Sequence, residues 1–254
     1  MLHLVFAGGR ANSLSRRIAR QAGAWKLRNS AGLARLVAAL APLALGLTAL
    51  AQPLDLQLRS LKETKPGSDQ WQALVTQAKW APEATAVVIC DMWDKHWCQG
   101  ATARVAEMAP RMNQVIAALR ARGVLIIHCP SDTMKFYEGS PGRKLAQAAP
   151  PASPPASPFG PVHEPPLPID DSDGGCDDNP PCTTASPWRR QIATIEIKDG
   201  DAITDNAEAY NLMRQRGITN VMVMGVHQNM CVLGRTFAIR QMFARDRTSS
   251  WCGT

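Results

Sequence analysis

Thr85 to Asp94 reads TAVVICDMWD, and the run Ala86 to Cys90 (AVVIC) is a short β-branched, apolar stretch that closes on Asp91. Such a run suits a strand buried on both faces of a parallel sheet, with the carboxylate delivered at its C-terminal edge. Downstream, Val105 to Arg122 sets Val105, Met108, Met112, Val115, Ile116 and Leu119 at helical spacing and stops at Gly123. Val124 to His128 (VLIIH) predicts the next strand, so a right-handed crossover between parallel neighbours is the default topology. The unit recurs later. Ile192 to Lys198 is strand-like, Asn206 to Arg216 reads as a helix closed by Gly217, Asn220 to Gly225 (NVMVMG) as a strand, and Cys231 to Ala244 as a helix. This alternation predicts an α/β fold, a three-layer α/β/α sandwich around a mostly parallel, Rossmann-like sheet.

The chain has 254 residues, of which 45% are hydrophobic and 19% charged, which excludes disorder, collagen and coiled coil as global descriptions. Its formal charge of +7 is concentrated at the front: residues 1–51 hold seven basic residues and no Asp or Glu, leaving 21 basic against 21 acidic. A neutral remainder without a basic, aromatic-interleaved stripe argues against a nucleic-acid partner. The basic segment leads into the apolar run Leu36 to Ala51, which ends in an A-x-A arrangement at Ala49 and Ala51, as in a cleaved export signal over 1–51. At about 16 residues, interrupted by Pro42 and Gly46, the run is short for a membrane span of ~20. Export to a periplasmic or extracellular setting is therefore expected, with no stable membrane span after cleavage.

Between the two halves, residues 150–187 carry a Pro-rich stretch and then DDSDGGCDDNPPC, which cannot form regular structure. Asp170, Asp171, Asp173, Asp177 and Asp178 cluster there, but the twelve-residue calcium loop with its closing Glu is absent. His96, His128, Cys98 and Cys129 show no recognised ligand spacing, so no metal and no cofactor is assigned. Seven cysteines make an odd count. In an oxidising compartment Cys176 and Cys182, six apart in a loop, are the expected disulfide pair, the alternative being two unpaired loop thiols.

Three residues carry the chemistry. Ligands of a doubly wound sheet bind beyond the carboxyl ends of its strands, and Asp91, Lys198 and Cys231 are all expected there. Cys231 follows the turn GVHQNM and opens a helix, whose dipole together with a nearby ammonium would lower the thiol pKa and favour a nucleophilic thiolate. Asp91 could take and return a proton. Each has a plainer role open to it: a turn-forming aspartate, a surface lysine, a buried cysteine.

TAVVICDMWD at 85–94, EIKDGDAI at 196–203 and GVHQNMCVLGRTFAIRQM at 225–242 resemble the isochorismatase-like cysteine hydrolase family, which includes nicotinamidase-related amidohydrolases. The resemblance covers about 80–244 outside the Pro-rich stretch; with the signal over 1–51 and an N-terminal extension over 52–79, it implies a hydrolase domain over 80–254 with an insertion at about 150–187. It implies Asp91 as general base and acid, Lys198 as its positive partner and Cys231 as the nucleophile of an acyl-enzyme. It further implies a cis peptide between Val226 and His227 and an oxyanion hole from the backbone N–H groups of His227 and Cys231. Cysteine-bearing members imply cleavage of a carbon–nitrogen bond in a small amide, imide or carbamoyl substrate, with Trp93 and His96 lining the pocket. The nicotinamidase Asp-x-His metal pattern is replaced by Ser131, Asp132 and Thr133. A homo-oligomer follows from the resemblance alone. The family's sheet continues past the nucleophile helix, whereas this sequence stops at Thr254, so a truncated sheet with an exposed edge at its fourth strand is expected. A catalytically inactive family member acting as a binding or structural protein is the alternative.

Overall fold

The computed structural model describes residues 5–8, 52–153, 175–228 and 230–245, all within one compact unit. The rest of the expected signal segment and most of the Pro-rich stretch lie outside the described residues. A short strand β1 (Val5–Gly8) is followed by a hairpin of β2 (Leu54–Glu63) and β3 (Trp71–Trp80), antiparallel with Leu54 opposite Trp80. The core succession is β4 (Thr85–Cys90), α1 (Gln99–Ala121), β5 (Leu125–Cys129), α2 (Pro141–Gln147), β6 (Ala202–Ile203), α3 (Glu208–Gln215), β7 (Asn220–Gly225), α4 (Cys231–Gly234) and α5 (Ile239–Arg245). The sheet order is β1-β7-β4-β5-β6, parallel from β7 to β6 with β1 antiparallel at the edge. The chain is thus an α/β protein with a mostly parallel sheet.

All six residues of β4 are buried, which explains its unbroken apolar run. Alternate residues enter separate clusters: Ala86, Val88 and Cys90 pack with residues of α3 and with Cys231, while Val87 and Ile89 pack with Val105, Met112 and Ile116 of α1. Burying each large aliphatic side chain contributes roughly 1.5–3 kcal/mol.

The 52–79 extension folds as most of the hairpin, whose Leu54, Leu56 and Leu58 alternate at strand spacing toward the second cluster. The strand expected to lie bare, β7, pairs with β1 in register Val5 to Val223, so its edge is covered in the full chain by a strand from the 1–51 segment. Two expectations are corrected. Ile192 to Lys198 is not a strand; the third parallel strand is β6, starting four residues after Lys198. The helix expected over Cys231 to Ala244 breaks after Gly234, where Arg235 takes an extended backbone (φ −62°, ψ 157°).

Candidate active site

Strand order reverses between β4 and β7, and the crevice beyond the carboxyl ends of such a pair is where α/β sheets place ligands. A cavity of about 240 Å³ opens there, lined by Asp91, Trp93 and His96 after β4, one face of α1, and the turn from Gly225 to Gln228 after β7.

Asp91 is fully buried and has left-handed backbone (φ 49°), a conformation that Asp tolerates better than most residues. Its Oδ1 accepts the Ser131 N–H at 2.8 Å and its Oδ2 accepts Arg235 Nε at 3.3 Å. A buried carboxylate requires such partners. The break after Gly234 turns Arg235 inward to supply one, and Arg235 also lies 3.7 Å from Asp132. Arg235 was not singled out from the sequence; its place four residues after Cys231 was the available signal.

Cys231 is buried at 6% exposure and packs at the start of α4, within reach of the Asp91 charge. Its Sγ lies 3.6 Å from His227 Nδ1. Burial, and then the negative charge of Asp91, push the thiol up to about 12, against a smaller opposing effect of Arg235. This corrects the expectation of a resting thiolate. The helix it opens has only four residues, too few to build the dipole invoked, and the ammonium invoked is elsewhere.

That ammonium is Lys198, which is half-exposed and paired with Glu196 at 3.0 Å. No ion pair joins it to Asp91 among the described residues, because it precedes β6 instead of following a strand end. Its backbone N–H donates to Asp201 Oδ2 at 2.8 Å. Arg235 occupies the cationic position beside Asp91.

Trp93 and His96 line the cavity. The Trp93 indole N–H donates to the Ser131 carbonyl at 3.0 Å, and its ring stacks on Trp188 with centroids 4.4 Å apart and planes 9° from parallel. His96 stacks on Trp188 and tilts against His227 at 5.0 Å. Burial, and secondarily the proximity of His227, lower His96 to about 4, so it is a neutral imidazole at pH 7. Trp188 was missed because the irregular loop that carries it gives no periodic signal.

The Val226–His227 peptide is trans, correcting the expected cis bond; the turn is made instead by His227 in left-handed conformation (φ 60°). The His227 carbonyl accepts the N–H groups of Met230 and Val232. Cys176 and Cys182 are free thiols, not the expected disulfide: both face Asp178 Oδ2, at 3.6 and 3.2 Å. Asp170, Asp171 and Asp173 lie outside the described residues.

His128 is fully buried, with Nδ1 2.9 Å from Gln191 Oε1 and Nε2 3.1 Å from Asp201 Oδ2, so both ring nitrogens are engaged away from His96 and Cys98. Arg120 grips Asp201 at 2.6 and 2.9 Å. Burial alone would raise Asp201, but hydrogen bonds from His128 and Arg120 prevail and hold it at about 2. Its folded pKa lies below the unfolded value of ~3.9, so its stabilisation is full above about pH 4 and is lost as pH falls toward 2. Thermal melts from about pH 5 to 2 should show a steeper fall in Tm for the wild type than for Asp201→Asn; parallel pH profiles would remove this network from the stability of the fold.

No family model, curated protein or solved structure matches this chain.

Proposed function

We propose that this protein is a cysteine hydrolase with the three-layer α/β/α fold of the isochorismatase-like type, cleaving a carbon–nitrogen bond of a small amide, imide or carbamoyl compound. The observation that carries the reading is the buried Asp91 carboxylate acting on the neighbouring Cys231 thiol beyond the carboxyl ends of adjacent parallel strands. A thiol held near 12 does not attack as a pre-formed thiolate, so its proton must leave during attack, and Asp91 is positioned to receive it. Arg235 pairs with Asp91 at 3.3 Å.

In the proposed cycle Cys231 Sγ bonds to the substrate carbonyl carbon as Asp91 takes the thiol proton. The backbone N–H groups of His227 and Cys231 stabilise the oxyanion. Collapse breaks the C–N bond, and the leaving nitrogen takes the proton from Asp91. Asp91 then deprotonates a water that attacks the thioester, releasing a carboxylic product and restoring the thiol. The small cavity and the rings of Trp93, His96 and His227 suit a compact, planar acyl group. The proposal places the enzyme outside the cytoplasm, on the strength of the 1–51 segment. Among the described residues no helix is long and apolar enough to cross a membrane.

A second reading, a non-catalytic binding protein, draws on Lys198 lying away from Asp91 and on the burial of Cys231. A panel of small carboxamides, imides and carbamoyl compounds separates the two. The wild-type chain should release ammonia or amine from at least one compound, and Cys231→Ala should release none. Undiminished turnover by Cys231→Ala would rule out the nucleophile, and a folded wild type inert to the whole panel would favour the binding protein.

A further inference from the structure

Three cysteines far from Cys231 meet at one carboxylate. Cys98 caps the N-terminus of α1, while Cys176 and Cys182 come from the loop 175–188, which has no helix or strand. Their sulfurs lie 3.2, 3.6 and 3.2 Å from Asp178 Oδ2, and the ligand atoms of Cys98, Cys176 and Asp178 all fall within 4.8 Å of one another. The set spans Cys98 and then Cys176-x-Asp178-x-x-x-Cys182, so two distant segments converge on a pocket of sulfur and oxygen donors.

Each thiol donates to Asp178 Oδ2, so the three sulfurs are gathered around one carboxylate oxygen. Cys98 Sγ accepts the Ala101 N–H at 3.4 Å. A donor aimed at that sulfur orients it, as outer partners do around metal-bound ligands. The first turn of α1, a helix of 23 residues, adds the positive end of its dipole, and Arg104 sits close by on Asp177 at 3.0 Å. The approach is tight: a side chain at Gly100 would put its Cβ 2.6 Å from Asp178 Oδ1, while the Gly100 N–H donates to Oδ2 at 2.9 Å.

We propose that Cys98, Cys176, Cys182 and Asp178 bind one structural zinc ion. Cys98, Cys176 and Asp178 form the compact group, and Cys182 Sγ, 3.2 Å from Asp178 Oδ2, would complete the four ligands of a closed set, which suits zinc in a structural role. Binding releases the protons of the three thiols, and the resulting excess of two negative charges is offset in part by the helix terminus, Arg104 being paired with Asp177. A disulfide would use only two of the three sulfurs and leave the third beside Asp178. The ion would fasten the loop to α1 and so hold Trp188, the ring stacked on Trp93 and His96, at the wall of the cavity. This site does not depend on the hydrolase reading.

The test is metal binding by the full chain, reduced and stripped by chelator, titrated with zinc and separately with cobalt(II). One zinc per chain is expected, with thiolate-to-cobalt charge-transfer absorption in the near ultraviolet. Losing an outer partner already costs 10–100-fold in metal affinity, so Cys182→Ser and Asp178→Asn should each weaken zinc by at least about tenfold. Circular dichroism on the same samples verifies that the variants are folded. Failure of the reduced, folded wild type to take up stoichiometric zinc would overturn the proposal, as would unchanged affinity in both variants.

Discussion

Gly225→Ala should leave little soluble, folded protein. Gly225 ends β7 opposite Cys90 of β4 in the parallel register, and a Cβ there would lie 2.0 Å from the Cys90 carbonyl oxygen and 2.8 Å from its carbon. Both are backbone atoms in the middle of the sheet. That carbonyl also accepts the Val226 N–H at 3.3 Å, so it cannot swing aside without breaking the link that starts the active-site turn. The cost should exceed about 4 kcal/mol, in the range reserved for specific structural failures. Gly123 provides the contrast. It has φ 87° with nothing within 4 Å of a built Cβ, so Gly123→Ala carries only the left-handed penalty of about 1–2 kcal/mol. Denaturant unfolding of both variants measures the difference. Equal midpoints would mean that the strand ends are not held this closely.

Asp91→Asn should abolish hydrolysis while making Cys231 easier to alkylate. Asparagine is nearly isosteric and can still accept the Ser131 N–H, and Arg235, about a third exposed, can be solvated when its anionic partner goes. The fold should survive. Removing a positioned general base lowers the rate by about 10²–10⁴-fold. The same change removes the negative charge that, after burial, does most to raise the Cys231 thiol, while Arg235 remains to lower it. At a pH of about 9 the variant should therefore hold more thiolate and react faster with iodoacetamide than the wild type. A purely structural Asp91 predicts something else: lower activity together with alkylation that rises only as far as unfolding exposes the thiol. Slower alkylation in the folded variant, or retained turnover, would remove Asp91 from the proposed role.

Much of the sheet was readable locally. The runs AVVIC, VLIIH and NVMVMG became β4, β5 and β7 nearly residue for residue, because strands buried on both faces need continuous apolar sequence. The helix after β4 was legible from its buried stripe, though it begins earlier, at Gln99, where Cys98 caps it. Ile192 to Lys198 misled because Ile195 is buried and Ile192 partly buried as loop residues, and burial alone mimics a strand pattern. The two-residue β6 was too short to leave any periodic trace. The hairpin did leave one, in the alternation of Leu54, Leu56 and Leu58.

Sequence by itself determined the order of alternating elements and the positions of Asp91 and Cys231 at strand ends, because strand burial and chain order follow from the pattern of neighbouring residues. It also placed Trp93 and His96 beside Asp91, since residues just past one strand end share its edge of the sheet. Only the tertiary structure decided which cation faces Asp91: a helix break points Arg235 inward, and the start of β6 four residues after Lys198 leaves that lysine with Glu196. It also decided the state of the Cys231 thiol, which depends on burial and on a carboxylate 140 residues away in the chain. The meeting of Cys98 with Cys176 and Cys182 belongs to the same class, because such convergence depends on how the loop returns to α1 and no local spacing encodes it.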